Sequence, residues 1–319
     1  MAASEKGVPS FGAANKNKWK RLWKSINRNT ALYVFVLPML IYFIIFHIAP
    51  LYGLQIAFRN FKPANGIMGS DWVGLKYIAK FLTSYSFWSL MKNTLVISLY
   101  TLVISYPFAI ILALIINYIP FGTMKKVTQT VTYAPHFVSS VVLVGMLNVF
   151  LMPGSGVFNI FMSNLGFKPV DFLGKPDLFA HIYALSDVWS HCGWNAILYI
   201  ATLAGVSPEL HEAAMIDGAN KLRRIWHIDI PALLPTAIIM LIMNCGNILN
   251  VGFEKVLLMQ SSANLSASEI ISTYVYKIGL QSGQYSYAAA IGFFNNMINC
   301  VILLIVNKIA QKTSETSLW

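Results

Sequence analysis

The chain alternates between long apolar stretches and shorter polar ones. Six apolar stretches are long enough to cross the hydrocarbon core of a bilayer as α-helices, which takes about 20 residues each. They cover residues 31–58, 94–118, 127–152, 178–205, 233–252 and 286–307. Of all the Lys, Arg, Asp and Glu residues, only Asp187 falls inside one of these stretches, as expected if a charge at mid-membrane costs several kcal/mol. The pattern predicts an all-α membrane protein with six spans.

The polar connections are too short to hold a separate soluble domain, the longest being residues 59–93 and 253–285. The second of them carries apolar residues at helical spacing. These are Ile270, Ile271, Tyr274, Val275 and Ile278. The spacing predicts one amphipathic helix, either along the outer membrane surface or packed on the spans as a lid.

Composition agrees with a membrane protein. Of 319 residues, 56% are hydrophobic and 11% charged, whereas a soluble domain carries about 25% charged residues. The net charge of +11 is concentrated in residues 6–28, just before the first apolar stretch, where anionic lipid and topology explain it better than nucleic acid does. The three cysteines all fall in predicted spans and indicate nothing about redox compartment.

The distribution of basic residues predicts the orientation. Of the 23 Lys and Arg residues, 14 lie on the face that holds both termini and the connection between spans four and five, and nine lie on the other face. Both termini and residues 206–232 are therefore predicted to be cytoplasmic. The predicted organisation is a basic tail over 1–30, a six-span domain over 31–310 and a short tail over 311–319.

Residues 206–232, which we call the polar loop, form a charge-dense island between two apolar stretches. Ser207 and Pro208 are typical of a helix start, with Ser207 as the N-cap. Asp217 and Gly218 predict the turn that ends this helix, because Gly accepts a left-handed conformation. The small pair Ala213-Ala214 permits close approach by a partner. The polar loop is therefore predicted to be a docking surface.

A second helix is expected to follow the turn and to end at Pro231. Its apolar face and the arginines beside it are Leu222, Ile225, Trp226, Arg223 and Arg224. A helix–turn–helix of this size fixed to a bilayer at both ends cannot lie freely in a DNA groove. A zinc-protease motif is excluded, because His211-Glu212 lacks a second His and position 215 is Met.

Polar residues inside the spans predict a route for a polar substrate, since such groups face the bundle interior or a water-filled cavity. Tyr183, Asp187, His191 and Asn195 recur every four residues on one stripe. The other candidates are Trp189, Trp194, Asn244, Asn247, Asn250, Asn295, Asn296 and Asn299. Amides and aromatic faces suit sugar hydroxyls and ring faces. Hydrogen bonding between helices, worth about 0.6 kcal/mol per contact, is the alternative.

The spacing Glu212-Ala213-Ala214, Gly218, Ile228 and Pro231 resembles the EAA loop of permease subunits in binding-protein-dependent ABC importers. Ile230 departs mildly, where that family usually has Leu. The segments AAMIDGANKLRRIWHIDIPALLPT, NVGFEKVLLM, TYVYKIGLQSGQYSYAAAIG and IYALSDVWSHCGWN are similar to the carbohydrate branch, in particular to polysaccharide and complex-oligosaccharide permeases. The resemblance extends over nearly the whole chain after about residue 30.

The resemblance implies a type I importer permease in the cell membrane. It implies a second permease subunit, two ATPase subunits that bind ATP and Mg, an external solute-binding protein and a saccharide substrate, with no cofactor in this chain. The residues implied to couple to the ATPase are Glu212, Ala213, Ala214, Asp217, Gly218, Arg223, Arg224, Ile228 and Pro231.

Catalysis finds no support in the sequence, because it contains no G-x-x-x-x-G-K-[ST] phosphate loop. The permease itself is therefore not expected to be an enzyme. The alternative function is an ion-coupled carrier or intramembrane enzyme in which Asp187 and His191 form a proton relay. Four prolines within or near the spans, Pro38, Pro50, Pro107 and Pro135, are expected only to bend helices.

Overall fold

The structure is a computed structural model that describes residues 28–120, 122–314 and 316–319. These residues form helices and no β-strand, with one isolated bridge between Arg59 and Trp72. Most of the predicted basic tail over 1–30 lies outside the described residues. The helices are α1 (Thr30–Phe43), α2 (Lys76–Leu82), α3 (Phe87–Asn117), α4 (Gly122–Tyr133), α5 (Ser140–Leu151), α6 (Val157–Asn164), α7 (Pro176–Ala204), α8 (Pro208–Ile216), α9 (Lys221–Arg224), α10 (Ile230–Cys245), α11 (Phe253–Met259), α12 (Leu265–Ser268), α13 (Ile271–Tyr276) and α14 (Tyr285–Thr313).

Among the described residues, four continuous helical stretches are long and apolar enough to cross a membrane. They are Thr30–Phe58, Phe87–Asn117, Lys221–Cys245 and Tyr285–Thr313. The bent pair Gly122–Phe137 and Ser140–Leu151 raises the count to five if it is one span. Helix α7 covers the remaining predicted window and is 29 residues long, but it is not apolar enough to join this set. The architecture is thus helical and multi-pass, and the count of six spans stays a prediction.

The core of the bundle lies between α3 and α7, which contact each other more extensively than any other pair of helices. Ala113 of α3, Ala196 and Tyr199 of α7, and Leu233 of α10 are buried together. Helix α4 also packs on α7, where a Cβ added at Gly193 would overlap the carbonyl oxygen of Thr132. Small residues at these contacts let the backbones approach closely, as is common between membrane helices.

Helix α1 stands apart from this core, because none of its residues is buried. Its continuation, a π turn over Ile44–Ile48 and a 3₁₀ segment over Ala49–Phe58, returns to the bundle. There the Phe58 ring meets the Phe293 ring edge-to-face at 5.1 Å. The first span is therefore anchored to α14 at one end only.

The predicted amphipathic helix around 270–278 is present, and it packs as a lid. Helix α13 contacts α3 and α14, and Ile270 and Ile271 are almost completely buried. The backbone N–H of Ile271 donates to the Thr94 hydroxyl over 3.1 Å. Of the two predicted placements, the structure therefore shows the lid on the bundle.

The prediction that Pro231 ends the second loop helix is wrong. A π turn over Ile225–Asp229 joins α9 directly to α10, so helix runs from Lys221 to Cys245. Pro231 has no N–H to donate and would clash with the carbonyl four residues earlier in a regular helix. The wider π turn directly before it relieves that conflict. Near Pro135 the expectation of a bend holds: the α-helix changes to a 3₁₀ turn over Ala134–Phe137, and the chain then bends by 96° before Ser140.

Candidate functional site

The polar loop folds as two short helices joined by a glycine turn. Helix α8 begins at Pro208 with Ser207 in the N-cap position, although the Ser207 side chain makes no capping bond. The turn contains the two hydrogen bonds typical of a helix C-terminus closed by a left-handed residue: Ala219 N–H donates to Ala214 O at 2.8 Å and Gly218 N–H to Met215 O at 3.1 Å. Gly218 has φ +77°, a value that side-chain-bearing residues rarely adopt.

Helix α9 starts with a side-chain cap, because Asn220 accepts a hydrogen bond from the backbone N–H of Arg223 at 2.9 Å. Five large apolar side chains of the polar loop are at least half exposed. They are Leu210, Met215, Ile216, Leu222 and Trp226. Ile216 is the extreme case at 87% exposure. Exposed apolar clusters of this kind mark surfaces that bind a partner.

The residues predicted to couple to a partner subunit do not share one environment. Those exposed on the polar loop are Glu212, Ala213, Asp217, Gly218, Arg223 and Pro231. Those partly buried are Ala214, Arg224 and Ile228. Four of the exposed residues lie on α8 and the glycine turn, and the other two, Arg223 and Pro231, lie on α9 and α10. Arg224 and Ile228 are turned toward the bundle. Their role in coupling stays a prediction.

Polar residues from α3, α7 and α10 meet around a cavity of about 270 Å³. Six of the predicted pathway residues line it. They are Tyr183, Asp187, Asn195, Asn244, Asn247 and Asn250. Sequence reasoning missed the contribution of α3, which adds Ser98, Thr101, Ser105 and Tyr106, and also Tyr199 of α7. Three hydroxyl residues at positions 98, 101 and 105 recur at helical spacing within a predicted span, and that signal would have found this face.

The other predicted pathway residues lie elsewhere. Trp194 stacks flat on the His136 ring at 4.3 Å between centroids, and Trp189 is exposed on the surface of the chain. His191 does not line the cavity and turns its Nδ1 toward the Asp187 carboxylate at 3.2 Å. Asn295 lines a second, more apolar cavity of about 570 Å³. The residues predicted to form one polar stripe on α7 therefore have different roles: some line the cavity, and others contact neighbouring side chains outside it.

Sequence reasoning also missed Lys255, which contacts two residues of the cavity wall, Tyr183 and Asp187. Lys255 belongs to α11, beyond the end of α10, and is 5% exposed. Its Nζ donates to the Tyr183 carbonyl oxygen at 3.0 Å and lies 3.8 Å from Asp187 Oδ1. Burial lowers the pKa of the Lys255 ammonium to about 8, against the opposing effect of the Asp187 carboxylate. The ammonium and the carboxylate are thus close enough for each to favour the charged form of the other.

Neutral hydrogen-bonding groups dominate the cavity wall. The Tyr183 hydroxyl accepts a bond from Gly252 N–H at 3.1 Å, and the Tyr106 hydroxyl donates to Ala237 O at 2.7 Å. Within the described part of the chain, no group of three His, Cys, Asp or Glu residues is placed to hold a metal ion. A wall of amides, hydroxyls and tyrosine rings can hydrogen-bond to and stack on an uncharged polar molecule.

Several bacterial proteins are similar to this chain over almost its whole length. The polygalacturonan/rhamnogalacturonan transport system permease protein YteP of Bacillus subtilis is 37% identical over 321 residues, covering 100% of both chains. Protein LplB of the same organism is 37% identical, over 98% of this chain and 95% of its own. Arabinooligosaccharides transport system permease protein AraP, also from Bacillus subtilis, is 27% identical over 96% of this chain and 94% of its own.

Solved structures agree with these relatives. A chain of a bacterial ABC transporter involved in the import of the acidic polysaccharide alginate matches with a TM-score of 0.84 and 37% identity, over 92% of this chain and 99% of that one. The alginate transporter in complex with its alginate pentasaccharide-bound periplasmic protein matches with a TM-score of 0.85 and 36% identity, over 93% and 100%. The family model described as "Binding-protein-dependent transport system inner membrane component" matches residues 99–315. Together with the full-length relatives, this match shows that the chain is a member of the family of inner membrane components of binding-protein-dependent transport systems.

Proposed function

We propose that this chain is one permease subunit of an ATP-driven importer of oligosaccharides or polysaccharide fragments. The observation that carries the proposal is the identity of 37% over the full length of a polygalacturonan/rhamnogalacturonan transport permease. The polar cavity supports it, because amides and tyrosines suit sugar hydroxyls and ring faces. In this proposal the chain has six spans with both termini in the cytoplasm, as in a type I importer, and α7 is the fourth span.

The proposed complex contains a second, similar permease, two ATPase subunits and an external solute-binding protein. ATP and Mg bind to the ATPase subunits, and this chain forms half of the route. The polar loop is the proposed contact with one ATPase, and its exposed side chains Ile216, Leu222 and Trp226 support this role. Closure of the ATPase pair would move the polar loop and, through it, the cavity-lining helices.

The ion-coupled alternative has less support from the structure. A proton relay needs an acid whose charge is free to change, and Lys255 already provides a counter-charge to Asp187 at 3.8 Å. His191 adds a second partner at 3.2 Å. A carboxylate held between two such groups fits a fixed structural charge better than a shuttle.

The proposal is tested by reconstituting the complex in proteoliposomes with the permease, ATPase and binding-protein genes that neighbour this one. We expect uptake of labelled pectic oligosaccharides that requires ATP and the binding protein. This chain purified alone should hydrolyse no ATP. Uptake that follows a proton or sodium gradient without ATP would contradict the proposal and favour the carrier.

A further inference from the structure

A buried carboxylate lies where the polar loop joins the bundle. Asp229 is 0% exposed. The Tyr118 hydroxyl donates to Asp229 Oδ2 at 2.7 Å. His211 Nε2 lies within ion-pair distance of Asp229 Oδ1, at 3.4 Å, but makes no hydrogen bond to it. We call these three residues the Asp229 cluster. Burying an ionised carboxylate costs several kcal/mol unless partners compensate, so this acid depends on the two groups that face it.

The three residues come from three different elements. Tyr118 follows the last residue of α3, His211 lies on α8 in the polar loop, and Asp229 ends the π turn that leads into α10. The Arg224 guanidinium lies 5.8 Å from the Tyr118 ring centre and adds a third contact. The cluster therefore ties the first loop helix to the ends of two spans.

Those two spans both bring polar groups to the cavity, as α7 also does. Helix α3 supplies Ser105 and Tyr106, and α10 supplies Asn244. A movement of α8 thus has a direct polar connection to α3 and α10, in addition to the backbone of the loop. The π turn supports a functional role for this connection, because such turns are frequent at functional sites and shift the helical register by one residue.

We propose that Asp229 is a positioning residue for energy coupling, which fixes the angle of α8 relative to α3 and α10 through Tyr118 and His211. The inference rests on the proposed function, because it needs an ATPase that moves the polar loop. Without the cluster, α8 would still bind the ATPase through its exposed surface. Its movement would no longer be transmitted fully to the cavity.

The test uses the reconstituted complex with Tyr118→Phe and Asp229→Asn. Tyr118→Phe removes one hydroxyl and leaves the ring, and Asp229→Asn removes the charge at constant shape. We expect both complexes to assemble and to hydrolyse ATP, while sugar uptake per ATP falls about tenfold, the order of losing one hydrogen bond to a buried charged group. The matched control is Tyr77→Phe, which removes a comparable 2.8 Å hydroxyl bond to Asn60 Oδ1 away from the loop and should leave the ratio unchanged.

A merely structural role gives a different pattern. Loss of stability alone lowers uptake and ATP hydrolysis together and keeps their ratio. In the double variant Tyr118→Phe with Asp229→Asn, the buried charge is gone, so thermal stability should return toward wild type while the ratio stays low. An unchanged ratio in both single variants, or dissociation of the ATPase from Tyr118→Phe, would overturn the inference. Absence of ATP-driven uptake in the wild-type complex would instead refute the proposed function.

Discussion

Lys255 and Asp187 form a largely buried pair in which Nζ lies 3.8 Å from Oδ1, with side chains that are 6% and 20% exposed. Lys255 lies in a segment that the sequence assigns to the outer connection, and Asp187 is the one acid within a predicted span. The pair explains how a carboxylate is tolerated there. It also fixes the position of α11 against α7, because the same ammonium donates to the Tyr183 carbonyl.

The first prediction concerns this pair. Lys255→Met leaves the Asp187 carboxylate with His191 alone, and removing one partner of a buried pair costs about 3–5 kcal/mol. We expect a clear drop in the thermal unfolding midpoint of the purified complex. The double variant Lys255→Met with Asp187→Asn has no uncompensated charge and should recover most of that loss. A double variant as unstable as Lys255→Met would contradict the pairing.

The second prediction concerns the cavity. Asn244→Ala and Asn247→Ala remove amides from its wall, so we expect sugar uptake to fall several-fold while the ATPase subunits remain bound. Asn164→Ala, at the exposed end of α6, is the control and should transport normally. Uptake assays at saturating binding protein measure the difference.

The same uptake assay distinguishes the residues of α7 that contact substrate from those that only pack against other helices. Asp187→Asn keeps the shape of the side chain but leaves Lys255 without its counter-charge. A contact with substrate is therefore indicated if uptake falls while the thermal unfolding midpoint of the complex stays unchanged. Trp194 stacks on His136 outside the cavity, and Trp194→Ala should reduce stability more than transport. Normal uptake in Asp187→Asn, Asn244→Ala and Asn247→Ala together would place the sugar route elsewhere.

The third prediction concerns the glycine turn. Gly218 has φ +77°, which costs a residue with a Cβ about 1–2 kcal/mol. Gly218→Leu should therefore distort the turn and separate the ATPase from the permease, while the membrane helices stay folded. Gly218→Asn is the matched control, because Asn tolerates this conformation better. Co-purification of the ATPase in detergent measures the effect, and a fully assembled, active Gly218→Leu complex would count decisively against the docking role.

The fourth prediction concerns the contact between α4 and α7. A methyl group at Gly193 would overlap the Thr132 carbonyl oxygen, so Gly193→Ala should destabilise the chain by about 1–3 kcal/mol, as overpacking does. Gly145→Ala in α5 is the control, because a Cβ there meets nothing within 4 Å. Alanine at position 145 should be neutral or slightly stabilising. Equal unfolding midpoints for the two variants would mean that the helices are not in close contact at Gly193.

Local patterns determined a large part of this architecture. Apolar runs placed the membrane-crossing helices, because a bilayer selects helices of a set length with few charges. The turn at Gly218 could also be predicted from the sequence, because the residue types that start and end a short helix depend only on local structure. The full-length likeness to sugar permeases was visible in motifs such as the Glu212-Ala213-Ala214 spacing.

Only the tertiary structure decided which polar groups meet. The pairing of Asp187 with Lys255 joins residues far apart in the chain, and no local pattern specifies such a partner. The contribution of Ser105 to the cavity depends on how α3 packs against α7. The error at Pro231 has the same origin: a proline predicts a helix end from local sterics, but the π turn before it, completed by the buried Asp229, lets the helix continue. The periodicity of residue types predicts which residues share a face of a helix, and the packing of the helices decides what each face contacts.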